Sequence, residues 1–341
     1  MSRIAIIGGG AWGTAMVLSL ARRSSHEPAS GHDLTLWTHS EAVAASIRAH
    51  GENTIFLPGF RIPETVRVTN DAQEATQSAE IIVNVMPSHH VRASYEAFAP
   101  FLRADHILVS ATKGIEDESY LRMSEVIADV LHAHHLKLPC AVLSGPSFAQ
   151  EVAAGSPTAI TVACAEASVA ARIQQEFSST TLRLYTNDDV TGVELGGALK
   201  NVIAIAAGVV SGLGLGHNST AAIITRGIAE VTRLAVACGG RRETLAGLAG
   251  LGDLVLTCTG SLSRNRFVGV ELGKGRSLPE ILAGLNGKVA EGVRTTNAAL
   301  GLAQRCGVEL PIAGQISAIL HQGKSPVQAV QELMARPGRD E

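Results

Sequence analysis

The feature that most constrains the fold is a glycine-rich turn near the start of the chain. A short apolar run, Ile4 to Ile7, leads directly into Gly8, Gly10 and Gly13, and a segment with helical periodicity follows at 15–21. A strand, a tight turn and a helix start in this order suit the phosphates of a dinucleotide, because glycine lets the backbone come close and the helix start presents free N–H groups. We interpret the segment as a dinucleotide-binding turn rather than a merely flexible loop.

The size and charge of the chain narrow its class. With 341 residues it is too long for one small core and fits two domains, and 46% apolar against 17% charged residues is typical of a globular protein. A net charge of −3 and 4% aromatic residues argue against nucleic acid as a partner. The cysteines are odd in number and never in Cys-x-x-Cys spacing, which indicates free thiols in a reducing cytoplasm. They are Cys140, Cys164, Cys238, Cys258 and Cys306. Because the first apolar strand starts at Ile4, we expect no signal peptide.

One segment could pass for a membrane span by hydropathy alone. Residues 202–225 contain no Asp, Glu, Lys or Arg and are numerous enough to cross a bilayer. Three glycines at 212, 214 and 216 and the polar residues 217–220 interrupt the segment. We therefore interpret it as two buried helices joined by a glycine-rich turn, and expect no membrane insertion.

The first half of the chain alternates short apolar runs with helical patterns, and the second half does not. This alternation predicts an α/β Rossmann domain, with a doubly wound, mostly parallel sheet covered by helices on both faces. After the first strand, the predicted strands are 34–37, 66–68, 81–85, 107–111, 140–143, 158–164 and 182–185, with helices at 41–50 and 123–131. Helical segments then take over, at 190–211, 217–238, 293–306, 311–321 and 325–334. We expect a dinucleotide-binding Rossmann domain at 1–188 and an all-α domain at 189–336.

The end of the second predicted strand bears on which dinucleotide is bound. An Asp or Glu at this place usually binds the ribose 2′-hydroxyl of NAD. Here Thr38, His39 and Ser40 follow Trp37, and Glu41 comes late. Since no carboxylate stands ready to repel a 2′-phosphate, the sequence favours NADPH over NADH while leaving dual use, or simple exposure of these side chains, open. The arginines that the fold could bring near are Arg61 and Arg67.

Two loops that follow predicted strands carry groups able to position a substrate. Ligands of open α/β sheets bind at the carboxyl ends of the strands, and Lys113 lies just past the strand 107–111. The turn Ser144-Gly145-Pro146-Ser147 follows the strand 140–143, and we expect Ser147 to begin a helix. A solvated lysine and a simple helix cap are the alternatives that the sequence leaves open.

Lys200 stands with Asn201 in a run of small and apolar residues. A lysine on a buried helix face has a lowered pKa, as an acid–base group working at neutral pH requires. The flanking Gly196 and Gly197 would let a ligand approach. Asp253 is a lone carboxylate between glycines and an apolar strip, which is a costly place for an unpaired charge. We predict that Asp253 pairs with Lys200, the alternative being a lysine that merely extends to solvent.

Ser263-Arg264-Asn265 offers a guanidinium fork beside neutral donors, which is the chemistry of phosphate recognition. A solvated loop is the alternative. The histidines at 132, 134 and 135 have no acidic or cysteine partner nearby in the sequence, so we expect them at the surface and predict no metal site.

Taken together, these motifs resemble bacterial NAD(P)-dependent glycerol-3-phosphate dehydrogenase. The resemblance extends over essentially the whole chain, and its specificity lies in the order of the motifs. They are Gly8-x-Gly10-Ala11-Trp12-Gly13, Lys113-Gly114, Ser144-Gly145-Pro146-Ser147-Phe148-Ala149, Lys200-Asn201, Gly250-Leu-Gly-Asp253-Leu, Ser263-Arg264-Asn265 and Val289-Ala290-Glu291-Gly292.

The resemblance implies reversible reduction of dihydroxyacetone phosphate to sn-glycerol 3-phosphate, supplying glycerophospholipid synthesis, and an all-α domain of the 6-phosphogluconate dehydrogenase C-terminal type. It implies that Lys200 is the general acid or base, with Lys113 and Asp253 as further catalytic residues. The implied substrate-binding residues are Lys113, Gly145, Ser147, Lys200, Asp253, Ser263, Arg264 and Asn265. The implied cofactor-binding residues, to which the strand end adds His39, are Gly8, Gly10, Ala11, Trp12, Gly13, Lys113, Ala149, Arg264, Val289 and Glu291.

The chain departs from the family pattern in three places, which bear mainly on the choice of cofactor. Ala11-Trp12 stand where Ser-Tyr or Ser-Phe is frequent, Ser147 stands where threonine is common, and a polar insert at 24–33 lengthens a loop. Two other functions stay open. A reductase for another keto substrate would not need Ser263-Arg264-Asn265, and a non-catalytic dinucleotide sensor would not need a pair of Lys200 with Asp253. A homodimer is an open option for the assembly.

Overall fold

The computed structural model describes residues 2–26, 31–285 and 289–338. The chain divides into two compact units, one formed by Met1–Thr112 with Met123–Val190 and the other by Lys113–Arg122 with Thr191–Glu341. Each unit has its own cluster of buried apolar side chains. The segment 113–122 therefore packs with the helical part of the chain, whereas the sequence placed it inside the Rossmann domain.

In the part of the chain that the structure describes, the first unit contains eight strands in one sheet, in the order β3-β2-β1-β4-β5-β6-β7-β8. The strands are β1 Ser2–Ile7, β2 His32–Trp37, β3 Arg67–Thr69, β4 Ile81–Asn84, β5 Ile107–Ser110, β6 Cys140–Ser144, β7 Thr158–Ala163 and β8 Leu182–Asn187. Neighbouring strands are parallel except β6 and β7, which are antiparallel. The prediction of a doubly wound, mostly parallel sheet is confirmed, and the order of the first six strands is that of dinucleotide-binding folds.

The helices of the first unit connect these strands. They are α1 Ala11–His26, α2 Glu41–His50, α3 Ala72–Gln77, α4 Val91–Phe98, α5 Met123–Ala133, α6 Ala149–Ala154 and α7 Ala167–Phe177. The four residues of β4 and the four of β5 are all buried, as expected for central strands covered on both faces. Residues 24–26 of the predicted insert continue α1 and residues 32–33 begin β2, while 27–30 lie outside the described residues.

The second unit is helical throughout the residues that are described. Its helices are α8 Val190–Gly212, α9 His217–Ala237, α10 Arg242–Ala246, α11 Asp253–Thr259, α12 Arg264–Gly273, α13 Leu278–Ala283, α14 Glu291–Arg305, α15 Pro311–His321 and α16 Pro326–Met334. Helices α8, α9, α14, α15 and α16 match the predicted segments. Helices α10 to α13 were not predicted. Three of them have only five to seven residues, too few turns to show a periodic apolar face, and the ten-residue α12 buries Asn265 and Gly269 beside its apolar side chains, so its buried face is not an apolar stripe.

The central helix α8 is long and apolar enough to cross a membrane by length and composition, but its apolar window is completely buried inside the protein. It ends at Gly212, and α9 begins at His217, as the glycine-rich interruption predicted. Glycines bring α8 and α12 into backbone contact, because a side-chain carbon at Gly208 would lie 2.2 Å from the carbonyl oxygen of Arg266 and one at Gly269 would lie 2.0 Å from that of Ile205. This contact holds the start of α12 at a fixed place along α8.

Candidate active site

The glycine turn between β1 and α1 has the three properties of a dinucleotide site. Gly8 has a φ of +132°, which strongly favours glycine, and its N–H donates to the carbonyl oxygen of Trp37 at 3.0 Å. A side-chain carbon at Gly13 would lie 1.9 Å from the oxygen of Gly8, so only glycine lets the helix start pack here. No atom lies within 4 Å of the corresponding position at Gly10, which leaves open space for a phosphate. The turn therefore fits a pyrophosphate at the positive end of α1.

The residues after β2 divide between the interior and the surface. Thr38 is buried, and its side chain lies against Gly9, whereas His39 is exposed beside the ring of Trp37, with 6.1 Å between ring centroids. Glu41, the first residue of α2, pairs with Arg48. His39 is thus available to a ribose phosphate, while Thr38 supports the turn.

The two arginines considered for a 2′-phosphate have carboxylate partners in the structure. Arg61 pairs with Glu64 at 3.2 Å, and Arg67 lies 3.8 Å from Asp33. These contacts do not place either arginine at the ribose of a bound dinucleotide.

Trp12 and Ser147, which belong to two different predicted motifs, are joined by hydrogen bonds. The indole Nε1–H of Trp12 donates to the backbone oxygen of Ser147 at 3.0 Å and approaches its Oγ at 3.3 Å, and Ser147 Oγ donates to the oxygen of Gly145 at 3.0 Å. Gly145 has a φ of +143°, and a side-chain carbon there would lie 2.9 Å from Ile160. The expectation that Ser147 begins a helix is wrong: α6 begins at Ala149 after Phe148, because Ser147 uses its hydroxyl to close the turn.

A cluster of charges lies inside the helical unit, and we call it the lysine–aspartate cluster: Lys113, Lys200, Asp253 and Thr257. Lys200 Nζ donates to one carboxylate oxygen of Asp253 and, at 2.9 Å, to Thr257 Oγ1. Lys113 Nζ donates to the other carboxylate oxygen at 2.5 Å. The predicted pairing of Lys200 with Asp253 is confirmed, and Lys113 adds a second cation to the same carboxylate.

Burial decides the electrostatics of this cluster. Asp253 is completely buried and Lys200 is 8% exposed, while the Lys113 side chain is 21% exposed. Burial lowers the pKa of Lys200 to about 7, the charge of Asp253 opposes this shift, and the charge of Lys113 reinforces it. Both the ammonium and the neutral amine of Lys200 are therefore populated near neutral pH, as proton transfer in either direction requires.

The loop that carries Lys113 is held on the helical unit by contacts that include those of Arg122 and Tyr120. Arg122, at the end of the 113–122 segment, donates to the carboxylate of Glu194 on α8 at 2.6 Å, and this pair is largely buried. The ring of Tyr120 lies on Gly301 of α14, and the guanidinium of Arg305 lies 4.4 Å from the ring centroid. These contacts explain how a lysine that follows a strand of the sheet belongs to the helical unit.

Asp253 begins α11 directly after a short π-helical stretch at Leu248–Gly252. Such stretches are frequent at functional sites because they shift the side chains that follow. Gly196 of α8 packs against this stretch, since a side-chain carbon there would lie 2.7 Å from the carbonyl oxygen of Ala249. The expectation that Gly196 makes room for a ligand is wrong: it lets the backbone that precedes Asp253 approach α8.

A hydrogen bond between two asparagines connects Asn201, the residue after Lys200, to the predicted phosphate motif at 263–265. Asn265 Nδ2 donates to Asn201 Oδ1 at 2.9 Å, and Asn265 Oδ1 accepts from the N–H of Gly292 at 2.9 Å. Ser263 is the N-cap of α12, where its Oγ accepts from the N–H of Arg266 at 3.2 Å. The amide of Asn265 thus holds three helices together, and a direct role in binding substrate stays a prediction.

The remaining predicted contact residues lie at helix starts. Arg264 is the first residue of α12, Glu291 is the first residue of α14 and follows Val289 closely, and Ala149 begins α6. Desolvation lowers the pKa of the Arg264 guanidinium, and the nearby Glu291 carboxylate partly offsets that shift. The structure thus brings Arg264 and Glu291 together.

The histidines at 132, 134 and 135 are exposed, as expected. No group of three or more His, Cys, Asp or Glu able to hold a metal is found among the described residues.

Two polar residues of these sites were missed in the sequence. Thr257 lies four residues after Asp253 in α11, and this spacing places both on one helix face, so the signal was available. Asn53 lies in the connection between α2 and β3, is completely buried, and contacts the glycine turn. A single asparagine in a loop gives no sequence signal of that kind.

The comparisons with known proteins agree across the whole chain. Residues 3–170 match the model of the NAD-dependent glycerol-3-phosphate dehydrogenase N-terminus, and residues 189–331 match that of its C-terminus. The chain is 71% identical to glycerol-3-phosphate dehydrogenase (NAD(P)+) of Acidobacterium capsulatum, with all of both chains covered, and 60% identical to the protein of the same name from Koribacter versatilis, covering 100% of this chain and 99% of that one. Its structure is similar to that of glycerol-3-phosphate dehydrogenase from Coxiella burnetii, with a TM-score of 0.92 and 39% identity over 98% of this chain and 99% of that one.

Proposed function

Because the chain belongs to the NAD-dependent glycerol-3-phosphate dehydrogenase family, we propose that it reduces dihydroxyacetone phosphate reversibly to sn-glycerol 3-phosphate, with NADPH or NADH as the reductant. The observation that carries the mechanism is the buried lysine–aspartate cluster. A lysine whose pKa is near 7 is suited to donating a proton to a carbonyl oxygen as that oxygen gains negative charge.

The dinucleotide, when bound, supplies the hydride for reduction and accepts it in the reverse direction. The open space at Gly10 and the start of α1 receive its pyrophosphate. His39 is exposed after β2, and the first carboxylate that follows the strand, that of Glu41, pairs with Arg48, which supports NADPH as the preferred form.

Lys200 carries the proton. In reduction its ammonium donates to the C2 oxygen of the substrate, and in oxidation its neutral amine takes the hydroxyl proton back. Asp253 holds Lys200 Nζ in place, and Thr257 Oγ1 accepts a hydrogen bond from the same nitrogen at 2.9 Å, so the group does not have to reorient during transfer. Lys113, which is more exposed, orients the substrate. Its charge also disfavours the protonated form of Lys200 and so helps to keep the pKa of Lys200 low.

The phosphate end of the substrate binds at the start of α12. Arg264 supplies a planar fork of donors for phosphate oxygens, and the helix start adds a positive potential. Ser263 shapes this start as the N-cap, and Asn265 fixes it relative to Lys200 through its bond to Asn201. Lys200 and the start of α12 therefore belong to the same unit and are connected by this hydrogen bond between neighbouring residues.

The proposal also covers the roles of the two parts of the chain, the location of the enzyme and its assembly. We assign residues 1–188 without the segment 113–122 to cofactor binding, and that segment together with 189–336 to catalysis. We place the enzyme in the cytoplasm and expect its product to supply glycerophospholipid synthesis. We propose a homodimer, which sedimentation equilibrium of the purified chain would test.

The direct test is oxidation of NADPH and NADH, in parallel, by purified protein with dihydroxyacetone phosphate, and with unphosphorylated dihydroxyacetone as control. Oxidation with the phosphorylated ketone alone is the expected result, and the faster nucleotide gives the preference. Dinucleotide binding with turnover of a different keto substrate would replace the proposed substrate, and binding with no turnover of any keto compound would favour a sensor.

A further inference from the structure

The glycine turn is held from behind by a buried side chain outside the Gly-x-Gly-x-x-Gly motif. Asn53 is 0% exposed, and its Nδ2 donates to the carbonyl oxygen of Gly9 and to Thr14 Oγ1, both at 2.8 Å. Its Oδ1 accepts from the N–H of Phe56 at 3.2 Å. Both amide hydrogens and the amide oxygen therefore have partners, which fixes the orientation of the side chain.

Thr14 extends this arrangement to the next peptide. Its Oγ1 accepts from Asn53 and donates to the carbonyl oxygen of Gly10 at 2.9 Å, and the N–H of Thr14 donates to the same oxygen at 3.0 Å. The carbonyls of Gly9 and Gly10 are thus both held toward the interior of the first unit by one asparagine and one threonine.

Because a peptide is planar, the direction of each held carbonyl also fixes the direction of the N–H group that follows it. In a planar trans peptide the N–H points opposite to the carbonyl of the preceding residue, so holding the carbonyls of Gly9 and Gly10 aims the N–H groups of Gly10 and Ala11 outward. These groups stand at the start of α1, where the N–H groups have no intrahelical acceptor. A side-chain carbon at Gly10 would have no atom within 4 Å, so the turn has open space for a phosphate beside these groups.

We propose that Asn53, acting through Thr14 and directly on Gly9, is a positioning residue that sets the affinity for the dinucleotide by aiming these two N–H donors before the ligand arrives. The proposal rests on the proposed function for the identity of the ligand. A turn aimed in advance binds more tightly, because the peptides do not have to be ordered on binding. The side chain itself does not touch the dinucleotide.

The test compares dinucleotide binding with substrate kinetics in four variants. Asn53→Ala removes both donated hydrogen bonds, and Thr14→Val removes the relay hydroxyl while keeping the side-chain shape. Thr14→Ser restores the hydroxyl. Thr76→Val is the matched control, because Thr76 is equally buried and its Oγ1 also donates to the carbonyl four residues earlier, that of Ala72, but in α3.

We expect the Kd for NADPH, measured by fluorescence titration, to rise about 10-fold in Asn53→Ala and about 3-fold in Thr14→Val. Thr14→Ser and Thr76→Val should stay within about twofold of the parent protein, and the double variant Asn53→Ala/Thr14→Val should fall short of the product of the single effects. At saturating NADPH, the KM for dihydroxyacetone phosphate should not change, which a general loss of structure would not reproduce.

Unchanged Kd values in folded Asn53→Ala and Thr14→Val would overturn the proposal. Should Asn53→Ala fail to fold, an unchanged Kd in Thr14→Val alone would do the same. The proposed function fails separately, because the parent protein would then bind NADPH without reducing dihydroxyacetone phosphate.

Discussion

The two units of this molecule differ in the groups that form their functional sites. The first presents a ligand site made of backbone, in which glycines and helix-start N–H groups face open space and neutral side chains such as Asn53 and Thr38 support them from inside. The second buries charged side chains against one another, with two lysines sharing the carboxylate of Asp253. Binding a stable anion calls for fixed partial charges, whereas moving a proton calls for a group whose two states are close in free energy.

The difference has an energetic cause. Backbone dipoles at a helix start keep their orientation at all pH values and contribute little to instability when empty, because water can replace the ligand. A buried lysine is disfavoured as a cation by its surroundings, and only its partners hold the proton on it. A variant of the buried charges should therefore leave dinucleotide binding unchanged, and a variant behind the glycine turn should leave proton transfer unchanged.

The largest effect is expected from Lys200→Met, which keeps the length of the side chain and removes the proton carrier. We expect kcat to fall by about 10²- to 10⁴-fold, the usual contribution of a general acid, while the Kd for NADPH stays unchanged. Stopped-flow turnover and fluorescence titration measure the two quantities. Lys324→Met is the control, because Lys324 pairs with Glu332 at 2.6 Å away from the cluster. Weakened NADPH binding in Lys200→Met would break the separation of the two units.

A smaller and differently placed effect is expected from Arg264→Ala. Loss of a charged donor to phosphate should raise the KM for dihydroxyacetone phosphate by about 10- to 100-fold and leave kcat less affected. Initial rates over a range of substrate concentrations at saturating NADPH measure this. Arg276→Ala serves as the control, because Arg276 pairs with Glu271 at 2.8 Å beyond the other end of α12. An unchanged KM would remove Arg264 from the phosphate site.

The smallest effect is expected from Trp12→Phe, which keeps an aromatic ring beside the glycine turn and removes the N–H that binds Ser147. The KM for dihydroxyacetone phosphate should rise by about two- to tenfold through the loosened Gly145–Ser147 turn. Trp37→Phe is a matched control, because the Trp37 indole nitrogen is buried without a hydrogen-bond partner among the described residues. Equal kinetics in both variants would show that the bond between Trp12 and Ser147 does not matter for substrate binding.

The sequence predicted the first unit better than the second for a physical reason. Strands buried on both faces appear as uninterrupted apolar runs, so β4 and β5 were located to within one residue of their ends. Helices α10, α11 and α13 were missed because they are short, and α12 was missed because its buried face includes Asn265 and Gly269 rather than an apolar stripe.

The candidate site could be predicted where burying a charged residue without a partner would cost much free energy. An isolated carboxylate and a lysine in apolar surroundings each require a partner, so the pairing of Lys200 with Asp253 could be inferred. The addition of Lys113 to the same carboxylate depends on how the segment 113–122 packs, through Arg122 and Tyr120, and no local pattern encodes that. Asn53 was missed because an asparagine in a loop is ordinary until the fold places it behind the glycine turn.

The measurement that tests the central claim most directly is the pH dependence of kcat in both reaction directions. Reduction requires the Lys200 ammonium, so its kcat should be highest and constant at low pH and fall as the pH rises through about 7. Oxidation of sn-glycerol 3-phosphate requires the neutral amine, so its kcat should rise through the same pH and then level off. Two opposite curves with a shared midpoint near 7 are the predicted result. Rates in both directions that do not change between about pH 5.5 and 8.5, about one and a half units to either side of that midpoint, would contradict the role of Lys200 as the proton carrier.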